Sequence, residues 1–249
     1  MRLDDGCCAA GDTISGTVGG LTGGGSVALI RVERRPRHRR ELTIAEVPAT
    51  WPGDPFRLTV PDAALPSTAG EQCALAYVVR ARDAGASACV DVVVVASARP
   101  RVARGSFPAD RLLANWDARH FHIELSEAQL HGGGRVTGRI HRHGTWAPGT
   151  IIVTAQCLEC WTSSSALPHG APPPWHVVPL WKQAQPLPVD PDATWAPFGF
   201  ELPDGLPRAV EAPTIAWRYE LRAQRIVPHW FDETAALTPL LFPGAWPGG

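Results

Sequence analysis

Short stretches of strict apolar–polar alternation recur along the chain, and no segment sustains the 3.6-residue spacing of an amphipathic helix. Ile14, Gly16 and Val18 fall on one side of a period-two pattern, with polar residues between them. Phe56, Leu58 and Val60 alternate with Arg57 and Thr59, and Leu75, Tyr77, Val79 and Ala81 alternate with a face that carries Arg80 and Arg82. The pattern returns with Val136, Gly138 and Ile140, with Phe198, Phe200 and Leu202, and with Trp217, Tyr219, Leu221 and Ala223. In the last of these Arg218, Glu220 and Arg222 take the other face. Period two sends successive side chains to opposite faces, so each segment predicts a half-buried strand. Further strands are predicted over 27–32, 89–96, 151–157 and 177–181, and a short helix over 109–118.

These segments come in two matching sets. Gly11-Asp12-Thr13-Ile14-Ser15-Gly16-Thr17-Val18 reappears as Gly133-Gly134-Arg135-Val136-Thr137-Gly138-Arg139-Ile140. Pro55-Phe56-Arg57-Leu58-Thr59-Val60-Pro61-Asp62 reappears as Pro197-Phe198-Gly199-Phe200-Glu201-Leu202-Pro203-Asp204, and a Leu-Pro pair follows each (Leu65-Pro66, Leu206-Pro207). The strand from Leu75 to Ala81 then matches the one from Trp217 to Ala223. Three blocks in one order with similar gaps are the mark of a tandem duplication whose unit is a whole domain. The expected organisation is a first sandwich over 1–98, a linker over 99–117 and a second sandwich over 118–249 with a Trp/Pro-rich insertion at 161–195. Aligning the copies sets Met1 opposite Ile123, so the first strand of copy one is either short or begins upstream.

Composition agrees with this and narrows the class. The 249 residues include 24 Gly and 25 Pro, too many breakers for a coiled coil or helical repeat. Hydrophobic residues at 45% and a net charge of −1 exclude a disordered chain and a globally basic nucleic-acid binder. A single lysine, Lys182, among 23 basic residues is the usage of a GC-rich, bacterial genome. The start shows no secretory h-region and no apolar run reaches 18 residues, so a cytoplasmic protein with reduced thiols is expected. The fold class expected is all-β, in two tandem immunoglobulin-like antiparallel β-sandwiches.

The opening Gly11-Asp12-Thr13-Ile14-Ser15-Gly16 resembles the PGD-x-[VI]-x-G turn and strand of arrestin-like domains, with Ala10 and Gly132 where the family has proline. Phe198-Gly199-Phe200-Glu201-Leu202-Pro203 and Ile215-Ala216-Trp217-Arg218-Tyr219-Glu220-Leu221-Arg222-Ala223 resemble the second half of such a domain. Two copies match the tandem sandwiches of arrestins, of bacterial sporulation-control proteins and of retromer cargo subunits. The resemblance covers most of the chain outside the linker, insertion and tail. It implies an arrestin-like fold and a non-catalytic adaptor or scaffold acting by protein–protein interaction. No phosphate-sensing polar core aligns residue by residue, so none is carried over.

Candidate chemistry is sparse. Arg34, Arg35, Arg37, Arg39 and Arg40 follow the 27–32 strand as a basic loop suited to phosphate, an acidic tail or an anionic membrane surface. The bland alternative is a solvated loop. Trp161, Trp175 and Trp181 in the insertion are either an interface or self-packing over their own sheet. Cys157 and Cys160 form a lone CxxC with His169 and His176 downstream, a spacing unlike the usual zinc sites, and reduced strand thiols are expected. His120/His122 and His141/His143 each put two imidazoles on one strand face, without an acidic ligand set. There is no G-x-S-x-G elbow, phosphate loop, dinucleotide fingerprint or HExxH, so neither an enzyme nor a cofactor is expected. The expected partner is a protein, with peripheral membrane contact as one alternative, a metal-dependent His/Cys enzyme as another, and no nucleic acid.

Overall fold

A computed structural model describes residues 1–19, 24–49, 53, 55–95, 121–128, 132–143, 150–162, 174–188, 190, 192–226 and 233–237. The linker and helix expected over 99–118 lie outside the described residues, as do His120, Ser163, His169 and the tail from 238. Every described regular element is a strand. The protein is all-β and sandwich-like in architecture, and its strands pair within two separate sets.

The first set comprises β1 (Arg2–Leu3), β2 (Cys7–Ala9), β3 (Thr13–Thr17), β4 (Gly25–Arg35), β5 (His38–Ala49), β6 (Pro55–Thr59), β7 (Thr68–Ala69), β8 (Ala74–Arg82) and β9 (Ser87–Val95). A three-stranded sheet runs β1-β3-β6, and a six-stranded sheet runs β2-β9-β8-β4-β5 with β7 on β8. Sequence alternation accounts for burial here: Ile14, Phe56, Leu58, Leu75, Tyr77, Val79 and Ala81 are all buried. One pairing departs from the antiparallel expectation. After β1 the chain crosses from one sheet to the other within three residues, and β2 then lies parallel to β9.

The second set comprises β10 (Phe121–Ala128), β11 (Arg135–Arg142), β12 (Thr150–Thr162), β13 (Trp175–Pro188), β14 (Trp195–Glu201), β15 (Val210–Glu211), β16 (Ile215–Ile226) and β17 (Glu233–Leu237). Its sheets run β10-β11-β14 and β13-β12-β16-β15, with β17 also on β16. Phe121, Ile140, Phe198 and Phe200 from the first sheet join Ile151, Val153, Tyr219 and Leu221 from the second in one buried cluster.

The two sets repeat each other in register as well as in sequence. Leu3 pairs with Gly16 and Leu125 with Gly138, which puts Met1 opposite Ile123 as the alignment expects. Glycine is required at both places. A Cβ on Gly16 would strike the Arg2 carbonyl oxygen and the Phe56 ring, and one on Gly138 the Glu124 carbonyl oxygen and the Phe198 ring. The Tyr77 hydroxyl donates to the Leu65 carbonyl at 2.7 Å and the Tyr219 hydroxyl to the Pro207 carbonyl at 2.9 Å, both across twelve residues. Burial pushes the Tyr77 phenol up to about 12, and Tyr219 is raised for the same reason.

One expected loop is a strand hairpin instead, and the strand expected over 177–181 is longer than the pattern gave. The basic stretch after residue 32 continues β4 to Arg35, turns at Pro36-Arg37 and returns as β5, which the sequence pattern did not predict. Its alternation is hidden because charged residues occupy both faces. Among the described residues of the insertion most are ladder: β12 runs to Thr162, and β13 pairs with it from Trp175 to Pro188. Three of its prolines, Pro179, Pro186 and Pro188, sit on an edge strand, where a missing N–H costs least.

Candidate functional site

The five arginines fold into the β4–β5 hairpin rather than a loop. Arg35 faces His38 across the closing pair, and Pro36 and Arg37 form the turn. Proline fixes φ near −65°, and Arg37 takes φ 63°, the left-handed value that a type II turn asks of its third residue. Arg34, Arg37, Arg39 and Arg40 are exposed and Arg35 is half-buried.

Register then divides the arginines between faces. Residues directly opposite share a face, so Arg34 and Arg39 stand side by side on the outer one, while Arg40 shares the other with Glu33. Arg39 is engaged by Glu41 at 2.7 Å. Glu41 also binds Arg80 of β8 at 2.8 Å. Arg80 lies opposite Ala28 and Glu41 opposite Val32, so this ion pair passes diagonally across the central strand β4 above Ile30. Ala28, Ile30 and Val32 form a small buried cluster, with Val78 of β8 packed beside it. The Arg80 hydrogen bond holds the Glu41 carboxyl below its ordinary value. Among the described residues no carboxylate pairs with Arg34, Arg37 or Arg40.

Sequence reasoning missed two buried acids. Glu33 and Glu159 are both 0% exposed. Each occupies the same place in its copy, Glu33 opposite Leu75 and Glu159 opposite Trp217. Arg31, on the same strand face, binds Glu33 at 2.8 Å. Glu159 accepts from the Trp217 indole N–H at 3.2 Å. The available signal was an acid at an inward position of an alternating strand, set opposite the matched pair Leu75 and Trp217.

The insertion tryptophans do not form one surface. Trp161 stacks on His176 with centroids 5.5 Å apart. The Arg218 guanidinium lies 4.8 Å above the Trp175 ring and also binds Glu211. Trp181 meets Phe200 edge-on and packs partly buried against the core. Trp175 is opposite Thr162 whereas Trp161 is opposite His176, so the two rings sit on opposite faces of the hairpin. Among the described residues of the insertion, Val177, at 51% exposed, and Trp195, at 41%, are the exposed large apolar side chains.

Cys157 and Cys160 also point apart. They stand three positions apart on β12, so period two sends Cys157 toward Tyr219 and Cys160 to the face of Ala216. They can neither close on one ion nor join as a disulfide in this register. Burial pushes the Cys157 thiol up to about 12 and raises that of Cys160. All six cysteines are free thiols, including the adjacent Cys7 and Cys8. The three described histidines of the His-x-His motifs do come together: His122 stands opposite His141, and His122 Nδ1 lies 2.8 Å from His143 Nε2. Among the described residues no three His, Cys, Asp or Glu side chains converge on one metal position. No described helix is long and apolar enough to cross a membrane.

No protein-family model matches the chain, and no curated protein is significantly similar to it.

Proposed function

We propose that this chain is a non-catalytic cytoplasmic adaptor or scaffold, built as two tandem immunoglobulin-like sandwiches of arrestin-like type, that works by protein–protein contact. The observation that carries this reading is the β4–β5 hairpin. It presents exposed Arg34, Arg37 and Arg40 at the end of a paired ribbon, beside β5, an outer strand of its sheet. A partner segment can add to that edge through main-chain hydrogen bonds while its acidic side chains meet the guanidinium groups. The sandwich supplies rigidity, and the arginine positions supply selectivity.

The test is affinity purification from the native host, comparing the full chain with Arg34/Arg37/Arg40→Ala. A partner retained by the first and lost by the second, in a salt-dependent manner, supports the adaptor. A second reading has its own support in Arg34, which stands beside Arg39 and, unlike it, pairs with no carboxylate among the described residues. In that reading the hairpin holds a membrane with anionic headgroups. Flotation with anionic but not neutral liposomes, abolished by the same substitutions and with no protein partner recovered, replaces the adaptor by a peripheral membrane binder.

A further inference from the structure

The outer face of the β10–β11 pair carries three histidines that neither role above uses. The rings of His122 and His141 stack with centroids 5.0 Å apart, 10° from parallel. His122 and His143 stack at 4.7 Å, with His122 Nδ1 and His143 Nε2 separated by 2.8 Å. Glu124, two residues beyond His122 on the same face of β10, pairs with His141 Nε2. The adjacent cation Arg139 is drawn onto the Trp195 ring, its guanidinium carbon 4.4 Å from the centroid.

Two imidazole nitrogens at such a separation either share a proton or flank a metal ion. Metal–nitrogen bonds of about 2.0–2.1 Å place ligands at right angles about 2.9 Å apart and tetrahedral ligands about 3.4 Å apart. The 2.8 Å observed is a hydrogen-bond contact, and it lies close to the right-angled separation, so the two nitrogens need little displacement to flank an ion. Taking up an ion asks the two lone pairs to turn from each other toward a common point. His143 is exposed just past the end of β11, so its ring has room for that turn. Glu124 adds negative charge nearby, and Arg139 is occupied elsewhere.

We propose that His122 Nδ1 and His143 Nε2 form a two-imidazole site for a late divalent transition-metal ion, with His141 as the positioning residue. His141, anchored by Glu124, stacks against His122 and fixes the plane of its ring. Water completes the shell, because no third described side chain converges. Imidazole pairs take Cu2+ most strongly, then Ni2+, with Zn2+ below Cu2+.

The test is titration of the metal-free full chain with Cu2+, Ni2+ and Zn2+ individually, followed by calorimetry. One equivalent is expected, weakened about tenfold or more by His122→Asn or His143→Asn and unchanged by His176→Asn. Glu124→Gln is expected to weaken binding less, acting through His141. Electron paramagnetic resonance of the Cu2+ form is expected to show two coordinated nitrogens, a readout that also serves if a variant does not fold. Absence of saturable uptake, wild-type affinity in the His122→Asn/His143→Asn double variant, or a Cu2+ spectrum without nitrogen ligands would each overturn the proposal.

Discussion

Arg37 sits where the backbone would choose glycine. A side chain at φ 63° crowds its Cβ against the following carbonyl, a cost of roughly 1 kcal/mol that only glycine avoids. Arg37→Gly relieves it and gives back part in chain entropy, for a net gain of about 0.5 kcal/mol. The expected outcome is a thermal midpoint higher by a few degrees together with weaker salt-sensitive binding of the anionic partner. A midpoint that falls would show that the arginine makes contacts outweighing its strain. The buried acids work the other way. Glu33 and Glu159 give up hydration that only specific donors can replace, and the two copies use different donors at one register position, Arg31 in the first and the Trp217 indole in the second.

At the scale of elements, the six-stranded sheet is tied across its outer face by Arg39–Glu41–Arg80, which links β5 to β8 over β4. The Glu41 carboxyl is held below its ordinary 4.5 chiefly by the Arg80 hydrogen bond. A depressed folded value means the unfolded chain binds the proton more readily, so the contribution is fully present above pH 4.5 and fades as pH falls through the folded value. Glu41→Gln is therefore expected to remove part of the acid-side loss of stability below pH 4.5 and leave its slope near neutrality unchanged. Urea unfolding midpoints across that range measure it, and an unaltered acid limb would show the link to be idle. This bridge also marks where the sequence stops being legible. Inward-facing apolar rows such as Phe56/Leu58 and Phe198/Phe200 announce their strands, because burial selects one face and leaves the other polar. β5 escapes that logic, since its stretch His38-Arg39-Arg40-Glu41 is charged on both faces and is held by its ladder to β4 and the Glu41–Arg80 ion pair. The same holds for the histidine cluster. Sequence places each His-x-His on one strand face, but only the β10–β11 register brings His122 against His141 and His143.

For the whole molecule, the cysteines provide a readout of each strand set. Cys7 and Cys89 are exposed, whereas Cys8, Cys73, Cys157 and Cys160 are buried. The thiolate is the reactive form, and burial pushes Cys8 up to about 11 and Cys157 up to about 12, so these thiols are both shielded and protonated at neutral pH. Native protein is expected to react quickly with a thiol reagent at Cys7 and Cys89 alone, the remaining four requiring unfolding. Cys8 and Cys73 belong to the first strand set and Cys157 and Cys160 to the second. Their labelling against urea concentration therefore follows each set by its own pair. Strands that pair only within their own set should unfold as separate cooperative units, so two labelling midpoints are expected, one per pair. Peptide mapping of the labelled chain assigns them. A single shared midpoint would mean that the two sets stabilise each other strongly enough to unfold together, and early labelling of Cys157 would contradict its placement against Tyr219.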